Sequence, residues 1–225
     1  MRVIAIDGPA ASGKSSTAAL VARRLGWTHL DSGALYRAVT LAALDRLAVP
    51  DRSGPRIVAL AEQLPVRLVL VGETFRPEVA GVDVEREIRS DRVTAHVSEI
   101  AAIPEVRQWV NARQREAVAN HAVGVVVDGR DIGTVVFPDA PLKIFLTATA
   151  EERARRRLTQ RGQRPDAGQR ARESRALEAR DRADATRLFA PLKPANDAVA
   201  LDSTRLSLDE QAERVAALAR ERFPG

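Results

Sequence analysis

A short apolar run, Val3-Ile-Ala-Ile6, is followed at once by the glycine-rich stretch Gly8-Pro-Ala-Ala-Ser-Gly-Lys-Ser15. This stretch fits the pattern G-x-x-x-x-G-K-[ST], in which backbone N–H groups and the positive end of the following helix surround a phosphate group. Because the pattern works only with a strand before the loop and a helix after it, it predicts an α/β fold. It also predicts that the chain binds a nucleoside triphosphate.

The loop supplies a continuous set of predicted nucleotide-binding residues, which are Gly8, Pro9, Ala10, Ala11, Ser12, Gly13, Lys14, Ser15 and Ser16. Lys14 is expected to reach the β- and γ-phosphates, and the hydroxyl of Ser15 is expected to bind Mg²⁺. Asp128 ends the apolar run Gly124-Val-Val-Val-Asp128. It is expected either to hold the magnesium shell through water or to order the loop that follows. A GTPase is not favoured, since the sequence has no Asn-Lys-x-Asp motif.

Length and composition restrict the remaining possibilities. With 225 residues the chain is expected to form one domain, residues 1–225. No apolar run approaches the roughly 18 to 20 residues that cross a bilayer, so no membrane association is expected. Cysteine is absent, which excludes disulfides, zinc–thiolate sites and thiol nucleophiles. A cytoplasmic location is the expectation.

The net charge of +5 raises the alternative of a nucleic-acid-binding protein. Of the 35 basic residues, three are lysine and the others are arginine, spread along the chain and mixed with acids. Arginine grips phosphate with a planar pair of N–H groups, so a small phosphorylated substrate explains the excess equally well. Aromatic residues make up only 4% of the chain, too few to suggest a stacking surface for single strands. No nucleic-acid partner is therefore expected.

Apolar runs of strand length alternate with stretches of helical spacing along most of the chain. This alternation is typical of a parallel sheet with crossover helices. Residues 66–71 and 73–76 are predicted to form a β ribbon, and residues 84–89 one or two helical turns. Residues 150–187 are predicted to be helical, with interruptions near Gly162 and at 165–168. A last helix is predicted from Ser207 to Arg222, and Glu210 three residues after Ser207 has the spacing of a capping box.

Three further motifs stand behind the phosphate loop in this order: Asp31-Ser-Gly-Ala-Leu-Tyr-Arg37, Asp128-Gly-Arg-Asp-Ile-Gly133 and Arg187-Leu-Phe-Ala-Pro-Leu192. Together they resemble the motifs of bacterial cytidylate kinases. The resemblance extends from Met1 to about Asp202. It implies a P-loop nucleoside-monophosphate kinase fold with a five-stranded parallel sheet flanked by helices. It also implies an inserted monophosphate-binding lobe at about 34–100 and a mobile lid at about 151–182.

The same resemblance implies the reaction, transfer of the γ-phosphoryl group of ATP to CMP or dCMP with Mg²⁺. ATP and CMP or dCMP are then the expected partners, and the chain is expected to be a monomer. The implied arginines for the acceptor phosphate are Arg37, Arg130 and Arg187, which neutralise the repulsion between two polyanions. In the lid, Arg153 and Arg157 are expected to reach the triphosphate, although arginine runs of this kind are more commonly solvated helix faces.

Recognition of cytosine needs an acceptor for the N4 amino group and donors for N3 and O2. By resemblance Asp131 is the acceptor, with Arg107 and Ser98 beside it. Asp131 could instead bind magnesium or form a salt bridge. Ser98 could instead be an ordinary hydroxyl on the face of a helix. Ser32 is expected to orient the pyrimidine, and Tyr36 either supports that pocket or packs in the core. The implied sugar contacts are Arg180 and Asp184, whose spacing of four also suits a surface salt bridge.

Two other functions stay open on the sequence alone. One is a P-loop kinase for a different small acceptor, against which the combination of Asp131 and Arg107 argues. The other is an ATP-regulated RNA-binding protein, suggested by the estimated pI of 10.5 and the arginine-rich segment.

Overall fold

A computed structural model describes residues 2–119, 121–162 and 166–224. The chain forms two compact units. The first unit contains Met1–Trp27 and Val126–Gly225, and the second contains Thr28–Val125. Within the described residues, no helix is long and apolar enough to cross a membrane.

The described residues contain eight strands and eight α-helices, together with three short helical turns. The strands are β1 (Val3–Asp7), β2 (Thr28–Asp31), β3 (Val66–Val71), β4 (Thr74–Val79), β5 (Val82–Asp83), β6 (Val125–Gly129), β7 (Leu142–Thr147) and β8 (Val199–Asp202). The α-helices are α1 (Lys14–Leu25), α2 (Ser32–Arg46), α3 (Gly54–Gln63), α4 (Asp91–Ile100), α5 (Pro104–Ala119), α6 (Ala150–Gln160), α7 (Ala167–Ala185) and α8 (Leu208–Arg222). The short turns are Val49–Asp51, Glu87–Arg89 and the π-helical turn Ile132–Val136.

The first unit is built on strands in the order β6-β1-β7-β8. Strand β7 is parallel to both of its neighbours, with Ile4 opposite Leu142 and Ile144 opposite Val199. Strand β1 is buried along its whole length, which explains its uninterrupted apolar sequence. Helices α1 and α8 cover the strands with a shared apolar core. The carboxyl end of β1, at Asp7, leads directly into the phosphate loop.

The second unit combines parallel and antiparallel strands. Strand β4 is parallel to β2 and antiparallel to β3 and β5. Helix α2 is buried on nearly all sides, so its sequence is apolar around the whole helix rather than along one stripe. Helices α3, α4 and α5 supply the remaining core of this unit.

The predicted α/β fold is confirmed, and the described residues contain three strands beyond the five expected in the parallel core. The additional strands are β3, β4 and β5 of the second unit; β3 and β4 were predicted as a ribbon over 66–71 and 73–76, whereas β5 was not predicted. The segment predicted as helical turns over 84–89 contains the turn Glu87–Arg89, preceded by β5. Residues 163–165, at the predicted interruption between α6 and α7, lie outside the described residues. The capping box at Ser207 and Glu210 is confirmed.

Candidate active site

The phosphate loop of the first unit can tolerate only glycine at its first position. Gly8 has a φ of 152°, and a Cβ atom there would lie 2.0 Å from the carbonyl oxygen of Leu146 in β7. The loop ends at Gly13, which has a φ of 100°, and α1 begins at Lys14. The buried hydroxyl of Ser12 has no hydrogen-bond partner among the described residues. The loop thus leaves a polar group available beside the start of a helix, as a phosphate site requires.

Lys14 is buried against its own loop. Its ammonium group donates a 2.7 Å hydrogen bond to the carbonyl oxygen of Pro9. Burial lowers the pKa of Lys14 to about 7, and the nearby Arg130 lowers it as well, while Asp128 and other acids oppose the shift. The negative charge of a bound triphosphate would favour the protonated, positively charged form of Lys14.

Ser15 and Asp128 lie together, as two predicted magnesium-binding residues should. The hydroxyl of Ser15 donates a 2.5 Å hydrogen bond to Oδ2 of Asp128. Hydroxyl and carboxylate oxygens are the ligands that Mg²⁺ prefers, and Mg²⁺ commonly takes only one or two protein ligands because phosphates and waters supply the others. The described residues contain no cluster of three acidic or histidine side chains that would form a complete metal cage. These residues fit a magnesium ion shared with a nucleotide.

A buried carboxylate joins two of the predicted phosphate-binding arginines. Asp184 of α7, 2% exposed, accepts hydrogen bonds from Nε of Arg130 at 3.0 Å and from Arg187 at 2.5 Å. Arg130 also donates to the carbonyl oxygen of Gly8 at 3.1 Å. The structure therefore brings Arg130 and Arg187 together at the phosphate loop, although they are 57 positions apart in sequence. Arg180 lies one helical turn before Asp184 on the same helix.

The two predicted lid arginines differ in their surroundings. Arg153 is buried, forms an ion pair with Asp181, and donates to the carbonyl oxygen of Ala10 at 3.0 Å. Asp181 in turn accepts the N–H of Ala10 at 2.9 Å. Arg157 is more exposed and pairs with Glu173 at 2.9 Å. Arg153 therefore joins α6, α7 and the phosphate loop, whereas Arg157 joins α6 to α7.

Further residues support the phosphate loop without having been predicted from the sequence. Arg156 donates to the carbonyl oxygen of Ser12 at 3.1 Å and to that of Ser203 at 2.6 Å. The hydroxyl of Ser203 donates to the carbonyl oxygen of Ser12 at 3.2 Å. These bonds fix the loop from the side of β8. Since Arg156 lies in a run of three arginines, nothing in the sequence distinguished it from its neighbours.

The second unit contains several of the predicted substrate-binding residues. Arg37 of α2 donates to the carbonyl oxygen of Ile88 at 3.1 Å and to the hydroxyl of Thr94 at 2.9 Å. Ser32 begins the same helix, is buried, and accepts a hydrogen bond at its carbonyl oxygen from Gln114 of α5 at 3.2 Å. Ser98 lies half-buried in α4.

Tyr36 and Arg107 lie next to each other in this unit. The guanidinium group of Arg107 lies 5.4 Å from the centre of the Tyr36 ring, within the range of a cation–π contact. Arg107 is 5% exposed and donates to the carbonyl oxygen of Ala101 at 3.0 Å. The hydroxyl of Tyr36 donates to the side chain of Asn111 at 3.1 Å. Tyr36 thus packs in the core and supports Arg107 at the same time.

In the first unit, Asp131 is buried beside an acid that the sequence did not single out. Asp131 immediately precedes the π-helical turn, and its carbonyl oxygen accepts the N–H groups of Val135 and Val136. The backbone N–H groups of Ile132 and Gly133 donate to the carboxylate of Asp7. Burial raises the pKa of Asp7 to about 6, and the charge of Asp131 adds to that increase. The only signal in the sequence was the position of Asp7 between a buried strand and the first glycine of the loop.

Comparisons with known proteins agree with these features. A family model described as cytidylate kinase matches residues 4–221. The chain is 48% identical over 215 residues to a protein of Stutzerimonas stutzeri named cytidylate kinase, a match that covers 95% of this chain and 93% of the relative. A protein of the same name from Limosilactobacillus fermentum is 44% identical over 214 residues, with the same coverage of each chain.

A solved structure of an uncharacterised protein from Eubacterium ventriosum shares the fold. Its TM-score is 0.53 and its sequence is 11% identical, and the match covers 99% of this chain and all of the other. Together, the phosphate loop, the pairing of Arg130 with Arg187, and a family match along nearly the whole sequence lead to one assignment. The chain belongs to the cytidylate kinase family.

Proposed function

We propose that the protein transfers the γ-phosphoryl group of ATP to CMP or dCMP, and so forms ADP and CDP or dCDP. The observation that carries this proposal is the contact between Arg130 and the carbonyl oxygen of Gly8, with Arg187 held beside Arg130 by Asp184. An arginine pair next to a triphosphate-binding loop suits an acceptor that is itself a phosphate. The names and near-complete coverage of the relatives support the identity of the acceptor.

The chemistry needs positioning and positive charge rather than a protein nucleophile. An oxygen of the CMP phosphate forms a bond to the γ-phosphorus of ATP, and the bond from that phosphorus to the β,γ-bridging oxygen breaks. Because the attacking oxygen already carries negative charge, no general base is required. Lys14 neutralises charge on the β- and γ-phosphates, while Arg37, Arg130 and Arg187 bind the phosphate of CMP.

Ser15 and Asp128 are the residues that would hold Mg²⁺. When bound, the ion offsets negative charge on the phosphates of ATP. The hydrogen bond between these two side chains keeps both oxygens close to the start of α1. Residues 8–16 would surround the phosphates with backbone N–H groups.

Base and sugar selection are assigned to the remaining predicted residues. Asp131 accepts the N4 amino hydrogens of cytosine, and Arg107 and Ser98 serve its acceptor atoms. Ser32 and Tyr36 orient the pyrimidine. Asp184 and Arg180 contact the sugar. The burial of Arg107 and its stacking on Tyr36 support this role, since a preorganised guanidinium loses little freedom when it binds a base.

Within a single kinase domain of residues 1–225, the proposed monophosphate-binding lobe covers about 34–100 and the proposed lid about 151–182. In the lid, Arg153 and Arg157 would approach the triphosphate when it closes, and closure would exclude water. Both arginines are paired with acids in the present structure, so closure requires Asp181 and Glu173 to share them or to give them up. A cytoplasmic location, a role in pyrimidine metabolism and a monomeric state remain predictions.

The two alternative functions are less well supported. A kinase for another small acceptor, or an ATP-regulated RNA-binding protein, would not explain relatives named cytidylate kinase that match along 93% of their length.

A coupled assay of ADP formation with CMP, dCMP, UMP, AMP and GMP tests the proposal. CMP and dCMP should be the best acceptors, and Lys14→Ala should abolish turnover without lowering the melting temperature. Arg113→Ala is a matched control because Arg113 is a partly exposed cation of α5 that pairs with Glu116. Absence of turnover with CMP, or a preferred acceptor other than a cytidine nucleotide, would refute the proposed function.

A further inference from the structure

Asp7 holds the loop that contains Arg130 and Asp131. It is the last residue of β1 and is 5% exposed. One carboxylate oxygen accepts the N–H of Ile132 and the other accepts the N–H of Gly133, both at 2.8 Å. Hydrogen bonds from backbone N–H groups to a charged carboxylate are among the stronger ones in proteins. Two such bonds from one side chain fix both the position and the direction of this backbone.

The backbone that Asp7 holds has an uncommon conformation. The turn Ile132–Val136 is π-helical, with hydrogen bonds from Val136 to Asp131 at 3.1 Å and from Phe137 to Ile132 at 2.7 Å. Such turns are rare in proteins as a whole, and those that occur often lie at functional sites. The first N–H groups of any helical turn lack a carbonyl partner within the turn. Asp7 supplies that partner, and the residue directly before the two anchored N–H groups is Asp131.

A side chain of β7 packs against the same turn. A Cβ atom at Gly133 would lie 3.1 Å from Cδ of Lys143, so the lysine stem packs directly against the glycine. The ammonium group of Lys143 is held by Asp197 at 2.9 Å. Lys143 lies opposite Ala5 in the parallel pairing of β1 and β7, and side chains two residues apart on a strand share a face. Asp7 and Lys143 therefore act on the turn from the same face of the strands.

We propose that Asp7 is a positioning residue for cytosine recognition: by binding the N–H groups of Ile132 and Gly133 it fixes the direction of Asp131, the residue assigned to the cytosine amino group. This inference rests on the proposed function. Asp7 itself does not contact CMP. It sets the geometry of the acceptor group, so its loss should affect CMP more than ATP.

The variant Asp7→Asn tests this role with little change of size. Its amide oxygen can accept only one of the two N–H groups, and its NH₂ group then faces the other. At pH 8, above the pKa of about 6 of Asp7, the carboxylate of the unaltered protein is ionised. The KM for CMP should rise, and the preference for CMP over UMP should fall, by roughly tenfold to a hundredfold, the range that loss of one hydrogen bond to a charged group produces.

The KM for ATP should rise clearly less than the KM for CMP, because Asp7 acts on ATP only through its charge, which favours the ammonium form of Lys14; general damage to the fold would not produce this split. Asp7→Glu keeps the charge and should show a smaller rise in the KM for CMP than Asp7→Asn. Asp139→Asn is the matched control, since Asp139 is an exposed acid in the connection to β7. If Asp7→Asn does not fold, Asp7→Glu is judged by the same split between the two substrates.

Hydrogen exchange of backbone amides gives a readout that is independent of turnover. The N–H groups of Ile132 and Gly133 should exchange faster in Asp7→Asn than in the unaltered protein. Equal changes in the KM values for ATP and CMP, or unchanged exchange at these two amides, would overturn the role of Asp7. Failure of the unaltered protein to phosphorylate CMP would instead refute the proposed function.

Discussion

Raising the pH above 7 is expected to couple ATP binding to the uptake of a proton by Lys14. Burial lowers the pKa of Lys14 to about 7. A bound triphosphate raises that pKa because it places negative charge beside the ammonium group. At pH 8 Lys14 is therefore about one-tenth protonated before binding and almost fully protonated afterwards, so about 0.9 proton is taken up per ATP. Each further pH unit should weaken ATP binding by about tenfold, or 1.4 kcal/mol.

Titration calorimetry at pH 8 measures this uptake. The observed binding enthalpy is compared among buffers that differ in ionisation enthalpy, and the slope of that comparison gives the number of protons. Lys14→Arg is the control, because an arginine remains charged at this pH and should show no uptake. Asp7 contributes little, since its pKa of about 6 leaves it ionised at pH 8. A slope near zero for the unaltered protein, or an equal slope for Lys14→Arg, would refute the reasoning.

Three substitutions test separate parts of the site. Arg187→Met should lower kcat/KM for CMP by roughly a hundredfold or more, as is typical for groups that stabilise transition-state charge. Steady-state kinetics measures this loss, with an unchanged melting temperature as the control for folding. An unchanged rate would show that Arg187 does not bind the phosphate. Asp131→Ala should reduce the preference for CMP over UMP by about tenfold to a hundredfold while the KM for ATP stays nearly constant, and equal losses for both substrates would contradict base recognition. Gly8→Ala should lower the melting temperature and abolish ATP binding, because its Cβ would lie 2.0 Å from the carbonyl oxygen of Leu146; normal melting would mean that β7 can move away.

The parts of the fold that the sequence predicts best are those set by neighbouring residues. The last helix was predicted from Ser207 to Arg222, and α8 covers Leu208–Arg222 with Ser207 as its N-cap. The capping box of α8 depends only on Ser207 and Glu210, and it is present. In each case the signal and the structure lie within a few residues of each other, so local spacing was sufficient.

The features that were missed depend on contacts between distant parts of the chain. The π-helical turn has no local sequence signal, since its N–H groups are satisfied by Asp7 about 125 positions earlier. Arg153 was predicted to act at the triphosphate, but its burial against Asp181 and Ala10 could be known only from the packing of α6 and α7 on the loop. Strand β5 contains only two residues, too few for a period to be recognised.

The acids of the first unit explain how several cations can lie near one phosphate loop. Two guanidinium groups repel each other, and the repulsion grows as burial lowers the local dielectric constant. Asp184 offsets it by giving one oxygen to Arg130 and the other to Arg187. A guanidinium group has five N–H donors, so a bond to one carboxylate oxygen leaves donors for an incoming phosphate. Asp184 therefore holds both arginines in place and leaves them N–H donors for the substrate. Without such an acid, the phosphate itself would have to order the two arginines, and this ordering would lower the affinity.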